Sequence, residues 1–421
     1  MANLFRKKLG KIYRACIRRG MRLLDRIHLA PNCLAVRSVK VDPKTKCRVL
    51  IKFEVTGEWK RYIEYDRTCF FEYSEPVDSV PVSILVVPFL ANILPLVWVK
   101  HARILVPACD QDFTEAIPTL QAAYAAMYPE QKFRGKVRIR KTEENHKPVA
   151  AERTAVMFSG GLDAYATLIR HVDEIDDLFM ILGADIGHRN KVGTANMKRL
   201  LQDAAEQFGK EGLYCRTSIR TILRKSKLDP LVKHPGETWW HGYQHGIGML
   251  SQLAPLAYRR GIRTLYIASS FTQGQKHVCA SDPSIDNHVS FCGCQVIHDA
   301  YELNRVDKIN LVGSYANQTG RDLFIRACNK SKEALNCCKC EKCTRTILGF
   351  WSCGLNPIRF GFRQEWSPDK LGEALLKKKR RFPNKFRARY MPIQTSMRQT
   401  YKREEVPEKL KWLYDYKFSE P

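Results

Sequence analysis

Apolar and polar positions alternate along residues 34–75 in the manner of β-strands. The runs AVRSVKVD, CRVLIKFEV, YIEY and CFFEY show this alternation, and Asp42-Pro43 marks a turn between the first two. Residues 101–140 then add a short strand, ARILVPA, a helix from Phe113 to Met127, and another strand, KVRIR. This order predicts a small α/β domain over residues 34–145, followed by the polar linker KTEENHKPVAAER.

Residues 79–99 form an uncharged segment, SVPVSILVVPFLANILPLVWV, that is long enough to cross a bilayer. Pro81, Pro88 and Pro95 argue against a membrane helix, because each proline removes a backbone hydrogen bond that hydrocarbon cannot replace. We therefore expect a buried strand and helix of a soluble domain.

Both ends of the chain are rich in basic residues. Residues 1–30 place Phe5, Leu9 and Ile12 at helical spacing among many lysines and arginines, which predicts a basic amphipathic helix. Such a helix would lie on an anionic membrane surface, on RNA or on the protein itself. Residues 356–421 form a basic C-terminal extension, either solvated or in contact with nucleic acid or an acidic partner. The net charge of +27 also indicates a polyanionic partner or substrate.

From Thr154 the pattern changes to strands that alternate with helices, as in a parallel, doubly wound sheet. The predicted strands are TAVMF, LFMILGAD, GLYCRT and TLYIAS. The first of them runs into Ser159-Gly160-Gly161 and directly into a helix. Two glycines let the backbone approach an anion, and the successive amides and the helix N-terminus then cradle phosphate. A plain β-turn is the alternative interpretation.

Two side chains add to this loop. Ser159 can donate its hydroxyl to phosphate oxygens, and Asp163, in the first helical turn, can cap amides or help hold Mg²⁺. No Gly-Lys-Ser/Thr follows, so the loop is not a Walker loop. The predicted nucleotide-binding residues are Phe158, Ser159, Gly160, Gly161, Leu162, Asp163, Ala164 and, after a later strand, Ser270.

The loop resembles the PP-loop of the N-type ATP pyrophosphatases, whose pattern is Ser-Gly-Gly-x-Asp-Ser/Thr. This resemblance implies a Rossmann-like sheet, cleavage of ATP between its α and β phosphates, and a substrate activated as its adenylate. Ala164 stands where that family has a hydroxyl residue, so one phosphate contact is missing. The substitution bears on the efficiency of ATP cleavage.

The fifteen cysteines are odd in number and spread along a long chain, which favours a metal site in a reducing compartment over a disulfide scaffold. Cys328, Cys337, Cys340 and Cys343 have the spacing C-x8-C-x2-C-x2-C, which suits four thiolates around Zn²⁺. Zinc would be structural, and an iron–sulfur cluster or free thiols are the alternatives. No apolar run typical of a signal peptide opens the sequence, so we expect a cytoplasmic protein, peripheral to a membrane only through residues 1–30.

The same cysteine spacing after a PP-loop resembles the zinc site of 7-cyano-7-deazaguanine synthases, ligases that turn a carboxylate into a nitrile. A broader set of synthase-like proteins with an extra N-terminal domain is also similar. The resemblance covers about Thr154–Gly354, and Cys338 stands where those proteins have a glycine, which would ease a positive φ. It also implies that Lys308 lies near ATP, which completes a catalytic set with Ser159 and Asp163.

Three other sites are less distinctive. Glu302 and Arg305 would share a helix face and bind a substrate amine and acid, or form a surface salt pair. His241 and His245, at i and i+4, would form a metal pair or a packed helix start, and the second is favoured. Cys279 is interpreted as a buried thiol.

Together these patterns predict an α/β fold: a Rossmann-like parallel sheet with a zinc knuckle over residues 151–355, preceded by the smaller α/β domain. The resemblance to PP-loop enzymes and 7-cyano-7-deazaguanine synthases implies an ATP-dependent ligase that adenylates a carboxylate, releases pyrophosphate and forms a C–N bond. Its cofactors would be ATP, Mg²⁺ and Zn²⁺, and its substrate a small-molecule acid or modified base. A PP-loop enzyme of tRNA modification and a non-catalytic nucleotide-binding subunit are the alternatives. A homodimer is a further candidate assembly, and the sequence does not determine the oligomeric state.

Overall fold

The structure is a computed structural model that describes residues 32–64, 67–146, 151–234, 237–274, 278–328, 330–333, 335–363, 367, 370, 372–373, 375–376 and 383–418. The helix predicted at residues 1–30, with its membrane or RNA contact, lies outside these residues. No helix in the described ranges is long and apolar enough to cross a membrane.

Most of the strands belong to a single sheet. In chain order they are β1 (Cys33–Val41), β2 (Arg48–Val55), β3 (Cys69–Tyr73), β4 (Arg103–Val106), β5 (Cys109–Asp110), β6 (Lys136–Ile139), β7 (Thr142–Glu143), β8 (Arg153–Met157), β9 (Asp177–Leu182), β10 (Glu211–Thr217), β11 (Ile262–Ala268), β12 (Ser290–Phe291) and β13 (Cys294–Asp299). All except β5 and β7 form an eleven-stranded sheet in the order β12-β13-β11-β8-β9-β10-β3-β2-β1-β4-β6. The five strands from β13 to β10 in this order are mutually parallel, which confirms the predicted α/β class with a mostly parallel sheet.

Helices cover both faces of this sheet. They are α1 (Trp59–Tyr62), α2 (Val82–Leu85), α3 (Val87–Val99), α4 (Gln111–Met127), α5 (Leu162–Arg170), α6 (Lys191–Phe208), α7 (Ile219–Ile222), α8 (Lys225–Leu228), α9 (His245–Leu250), α10 (Ala254–Arg260), α11 (Pro283–Asp286), α12 (Arg305–Thr319), α13 (Glu341–Ser352), α14 (Pro383–Thr400) and α15 (Glu408–Asp415). A π-helical turn, Trp240–Gln244, leads into α9.

Two apolar cores lie on opposite faces of the sheet because successive strand side chains point in opposite directions. In β8, Ala155 belongs to the core beneath α3 and α10, whereas Val156 belongs to the core beneath α5, α6 and α12. Phe179 and Leu178 divide between the same two cores in β9. Burial on both faces explains why these strands are apolar throughout.

The strands of the predicted N-terminal domain join the parallel strands directly. β3 pairs antiparallel with β10, and Arg216 of β10 lies opposite Glu72 of β3. The two residues are 144 positions apart in the chain, so no local pattern reveals this pairing. The sheet is therefore continuous across both predicted domains. The division of the chain into domains 34–145 and 151–355 stays a prediction.

One predicted strand is wrong and another is confirmed only in part. Residues 79–99 contain no strand: α2 and α3 occupy the segment, and the buried Asn92 donates from Nδ2 to the carbonyls of Pro88 at 2.8 Å and Gly248 at 2.9 Å. These bonds satisfy a polar side chain in an otherwise apolar helix. In the run YIEY, Tyr62 ends α1, whereas Ile63 is extended and forms an isolated antiparallel bridge with Leu223.

The interpretation of residues 356–421 as a solvated extension is also wrong for the part that the structure describes. α14 buries Tyr390, Ile393 and Met397, and α15 buries Leu410 and Leu413, all against the core beneath α5 and α12. The apolar spacing i, i+3, i+7 in α14 is helical, but the surrounding basic residues hide it in the sequence. Contact with nucleic acid stays a prediction.

Candidate functional site

The carboxyl ends of the central strands meet beside a cavity of about 1040 Å³. From β8 the chain continues to β9 and β10 on one side, and then returns to β11 on the other side of β8. The strand order thus reverses between β8 and β11. In open α/β sheets, ligands bind in the crevice outside the carboxyl ends of the strands at such a reversal.

The Ser-Gly-Gly loop between β8 and α5 lies at this crevice. Gly160 has φ +71°, and a Cβ there would lie 2.4 Å from Cδ2 of Leu200, so the position favours glycine on both counts. The Gly160 carbonyl accepts a hydrogen bond from the Arg326 backbone N–H at 2.7 Å. The Gly161 N–H donates to Oγ of Ser159 at 3.3 Å. The loop is thereby held in a tight turn and fastened to the segment that leads to the cysteines.

Seven of the eight predicted nucleotide-binding residues line the cavity: Phe158, Ser159, Gly161, Leu162, Asp163, Ala164 and Ser270. Gly160 does not line it, because its backbone turns towards Leu200. Ala164 is buried in the cavity wall and presents a methyl group where a hydroxyl would be within reach of a ligand.

Lys308 joins the loop after β8 to the loop after β11. It lies in the first turn of α12, which Asn304 caps by accepting hydrogen bonds from the backbone N–H groups of Val306 and Asp307. The Lys308 ammonium donates to the Ser269 carbonyl at 2.5 Å and lies 3.4 Å from Oδ1 of Asp163. The side chain is only 3% exposed, so its charge is held within the cavity wall.

Further basic side chains make the cavity electropositive. Arg305 donates from Nη2 to Oγ1 of Thr346 at 2.6 Å, but its buried Nε has no hydrogen-bond partner within the described ranges. Desolvation, together with the nearby charge of Arg345, lowers the pKa of Arg305 to about 10, so the guanidinium stays charged at neutral pH. The basic residues that line the cavity are Arg305, Lys308, Arg326, Lys342, Arg345 and Arg389, against the acidic Asp163, Asp185 and Glu237.

The expected pairing of Glu302 with Arg305 on one helix face is wrong. The Asn304 cap places the start of α12 at Arg305, so Glu302 lies before the helix. Glu302 instead accepts a hydrogen bond from Nη1 of Arg170 in α5 at 2.5 Å. Sequence reasoning therefore identified Arg305, which lines the cavity, as a candidate substrate-binding residue, but it assigned Arg305 the wrong partner. It did not single out Arg326, Lys342, Arg345 or Arg389, because lone basic residues carry no spacing signal.

The four predicted zinc ligands lie together. The sulfurs of Cys328, Cys337, Cys340 and Cys343 are all within 4.8 Å of one another. The Cys328–Cys340 and Cys337–Cys343 separations are 3.8 and 4.0 Å. Four thiolates at about 2.3 Å around a tetrahedral zinc ion lie about 3.8 Å apart, so the cluster fits this metal with little rearrangement. Cys328 and Lys342 also line the cavity, which places the cluster in its wall.

The backbone at Cys338 has the positive φ that the sequence comparison with glycine predicted for this position. Its φ is +53°, in the left-handed region that glycine adopts without cost. It is not one of the four clustered cysteines.

Among the described residues, His241 and His245 belong to no group of three or more potential metal ligands. Desolvation, with the neighbouring His241, lowers the pKa of His245 to about 4, so it is neutral at physiological pH. Nδ1 of His241 instead lies 2.5 Å from Oε2 of Glu237, and its Nε2 lies 3.6 Å from Sγ of Cys279. The favoured interpretation, a packed helix start, matches the π-helical turn that contains His241.

The comparison with known proteins returned no match: neither a family model nor a curated protein matches this chain. The structure therefore establishes a mostly parallel α/β sheet, a crevice at the reversal of strand order, and four cysteines placed to hold a metal such as zinc.

Proposed function

We propose that this protein is an ATP-dependent ligase that adenylates a carboxylate, releases pyrophosphate and passes the acyl group to a nitrogen nucleophile, as the resemblance to PP-loop enzymes implies. One observation carries the proposal: the Ser159-Gly160-Gly161 turn faces an electropositive cavity at the reversal of strand order. The amides of this turn and the N-terminus of α5 suit the β and γ phosphates of ATP.

The side chains around the turn support the same chemistry. The Lys308 ammonium is buried beside the turn, and Asp163, at 3.4 Å, is the carboxylate that it pairs with among the described residues. A phosphate oxygen would be a second anionic partner for this ammonium. The carboxylate of Asp163 is 31% exposed and lines the cavity, and a single carboxylate with substrate phosphates is a usual protein site for Mg²⁺. That ion, when bound, would neutralise charge on the phosphates.

The departure of pyrophosphate requires further positive charge. Arg305, Lys342 and Arg345 line the same cavity, and preorganised donors of this kind stabilise charge that develops on phosphate oxygens. Arg305 belongs to α12, and Lys342 and Arg345 belong to α13, the helix that also contains Cys343. The metal-binding segment would thus hold part of the pyrophosphate site in place, which gives a structural metal a role in activity.

The volume of the cavity suits two substrates. At about 1040 Å³ it slightly exceeds the range of roughly 300–1,000 Å³ that is usual for small-molecule sites. ATP alone would leave room for an acid beside its α phosphate. This is the arrangement that an adenylating ligase needs.

The proposal is tested by product analysis with purified full-length protein, Mg²⁺, labelled ATP and a crude metabolite extract. We expect AMP and pyrophosphate from the unaltered protein. Ser159→Ala should lower their formation about 100-fold, because it removes a phosphate donor. Ser38→Ala, on β1 and outside the cavity, is the matched control and should not. Formation of ADP would contradict the mechanism, and bound ATP without any product would favour a nucleotide-binding subunit.

Modification of tRNA is the second candidate, because a net charge of +27 favours a polyanionic substrate. The same assay distinguishes the two. If the substrate is RNA, treating the extract with ribonuclease should abolish AMP formation, and purified bulk tRNA should restore it. A small-molecule acid is supported if nuclease treatment has no effect.

A further inference from the structure

The cavity is also lined by three side chains that adenylation does not use: Glu237, His241 and Cys279. Oε2 of Glu237 lies 2.5 Å from Nδ1 of His241, and Nε2 of the same ring lies 3.6 Å from Sγ of Cys279. With the carboxylate accepting from Nδ1–H, the unprotonated Nε2 faces the thiol. This is the order of groups that activates a cysteine nucleophile in covalent catalysis.

The local fold holds the three groups in this relation. His241 lies in the π-helical turn Trp240–Gln244. This conformation is rare in proteins overall, and where it does occur it is often found at functional sites. The His241 carbonyl accepts from the Ala280 backbone N–H at 3.0 Å, which fastens the cysteine segment to the turn. Sγ of Cys279 also accepts from the Ser281 backbone N–H at 3.4 Å, an additional donor to a developing thiolate.

The segment after β11 connects this group to the phosphate loop. The His241 ring packs edge-on against Phe271 with centroids 6.1 Å apart. The Phe271 carbonyl accepts from Oγ of Ser269 at 2.7 Å, and the Ser269 carbonyl accepts from Lys308 at 2.5 Å. Cys279 thus faces the same cavity as the residues proposed to hold ATP.

We propose that Cys279 accepts the acyl group from the adenylate as a thioester, with His241 as general base and Glu237 as the residue that orients it. This inference rests on the proposed adenylation. It adds a covalent intermediate to that reaction and assigns the second half of the reaction to Cys279, His241 and Glu237, which the sequence did not bring together.

The transfer balances without an external oxidant or reductant. The sulfur attacks the acyl carbon, a C–S bond forms, and the C–O bond to the phosphate breaks with its electron pair leaving on AMP. The thiol proton passes to Nε2 of His241. A nitrogen nucleophile then attacks the thioester, the C–S bond breaks, and His241 returns the proton to the sulfur. The proton that the nitrogen loses is released to solvent.

A base is needed because the thiol is not ionised at rest. Burial raises the pKa of Cys279 to about 12, so at neutral pH the group is a thiol. A histidine nitrogen within reach removes the proton as the sulfur attacks. A thioester also keeps the acyl group on the protein after AMP departs, which allows the nitrogen nucleophile to use the space that AMP leaves.

The first experiment measures thiol reactivity and does not depend on adenylation. The full-length protein is treated with iodoacetamide, and peptide mass spectrometry follows alkylation of each cysteine. We expect Cys279 to react about tenfold faster than Cys294, a buried thiol outside the cavity, and His241→Gln to abolish that advantage. Glu237→Gln should lower it partially. Equal rates at Cys279 and Cys294, with no effect of His241→Gln, would overturn the inference.

The second experiment looks for the thioester. The protein is incubated with Mg²⁺, ATP and the metabolite extract, and the Cys279 peptide is examined for a hydroxylamine-sensitive adduct. The adduct should require ATP and be absent from Ser159→Ala, and Cys47→Ala, a half-exposed thiol outside the cavity, should retain it. Normal pyrophosphate release by the unaltered protein, without a hydroxylamine-sensitive adduct on Cys279, would overturn the acyl transfer alone. Absence of pyrophosphate from every variant would overturn the proposed function as well.

Discussion

At the scale of single residues, the phosphate loop depends on one backbone conformation. Gly160 and Gly209 both have positive φ, +71° and +65°, but a Cβ would meet Leu200 at 2.4 Å in the first case and nothing within 4 Å in the second. We expect Gly209→Ala to lower the free energy of unfolding by about 1 kcal/mol through backbone strain alone. Gly160→Ala should lower it by about 2–4 kcal/mol, because overpacking adds to the strain.

Urea denaturation of the two variants measures this difference, and ATP binding by calorimetry should be weaker for Gly160→Ala only. Equal destabilisation of both variants would show that Leu200 moves aside freely. The loop would then owe its shape to the backbone alone.

The cysteine knuckle makes a second residue-scale prediction, about zinc content. Cys340 contributes one of four clustered sulfurs, whereas Cys338 contributes none and has φ +53°. We expect Cys340→Ser to lose most of the metal and Cys338→Ser to retain about one zinc ion per chain. Elemental analysis of the purified variants measures this. Loss of zinc from Cys338→Ser would mean that the Cys338 thiol also takes part in coordination.

The sequence revealed those residues whose chemistry depends on local spacing. Ser159 and Asp163 follow a strand and open a helix, and the four cysteines lie within sixteen residues of chain, so a motif identifies both groups. Spacing also drew attention to Arg305 and His241, but it paired them with Glu302 and His245. Their contacts with Thr346 and Cys279 could not be identified in this way. Their roles arise from separate elements that meet at the crevice, and a lone arginine, histidine or cysteine in a sequence is more often structural.

At the scale of elements, α14 shows how composition conceals packing. Its buried apolar positions are flanked by basic residues such as Arg387, Arg389 and Arg398, so the segment resembles a solvated tail until the helix is formed. Ile393 is fully buried and lines the cavity, whereas Met391, two positions earlier, is 38% exposed. These two positions on one helix face different surroundings, which makes the two residues a matched pair.

We expect Ile393→Ala to lower the free energy of unfolding by about 2–4 kcal/mol, because it leaves a cavity in the core beneath α5 and α12. Met391→Ala should change it by less than about 0.5 kcal/mol. Urea denaturation at neutral pH provides both values. If the two substitutions cost the same, α14 is not docked on this core in solution.

At the scale of the whole molecule, the sheet joins two segments that the sequence separates. Arg48, Glu72 and Arg216 lie side by side on β2, β3 and β10. The Glu72 carboxylate accepts from Nε of Arg48 at 2.7 Å and from Nε and Nη2 of Arg216 at 2.9 Å. The Glu72 carboxylate therefore links β2 and β3, in residues 34–145, to β10, in residues 151–355, by electrostatic attraction. No periodicity in either segment predicts this link, because it depends on which strand edges meet.

This link gives a stability prediction with a defined pH dependence. Burial alone would raise the pKa of Glu72, but hydrogen bonds from Arg216 and Arg48 outweigh it and lower the pKa below its usual range. A carboxyl whose pKa is lowered by folding stabilises the protein above its unfolded pKa of about 4.3, and this contribution is lost as the pH falls through the lower, folded value. Glu72→Gln should therefore cost about 1–3 kcal/mol at pH 7 and progressively less below pH 4.

Urea denaturation at several pH values tests this prediction, with Glu54→Gln as the control. Glu54 pairs with Arg37 on neighbouring strands but is 62% exposed, so its replacement should cost less than about 1 kcal/mol at any pH. Acid also weakens metal binding by thiolates, and comparing both variants with the unaltered protein at each pH removes that common effect. If Glu72→Gln and Glu54→Gln behave alike, the charge on Glu72 does not hold the two segments together. The continuity of the sheet would then rest on its backbone hydrogen bonds and its apolar cores.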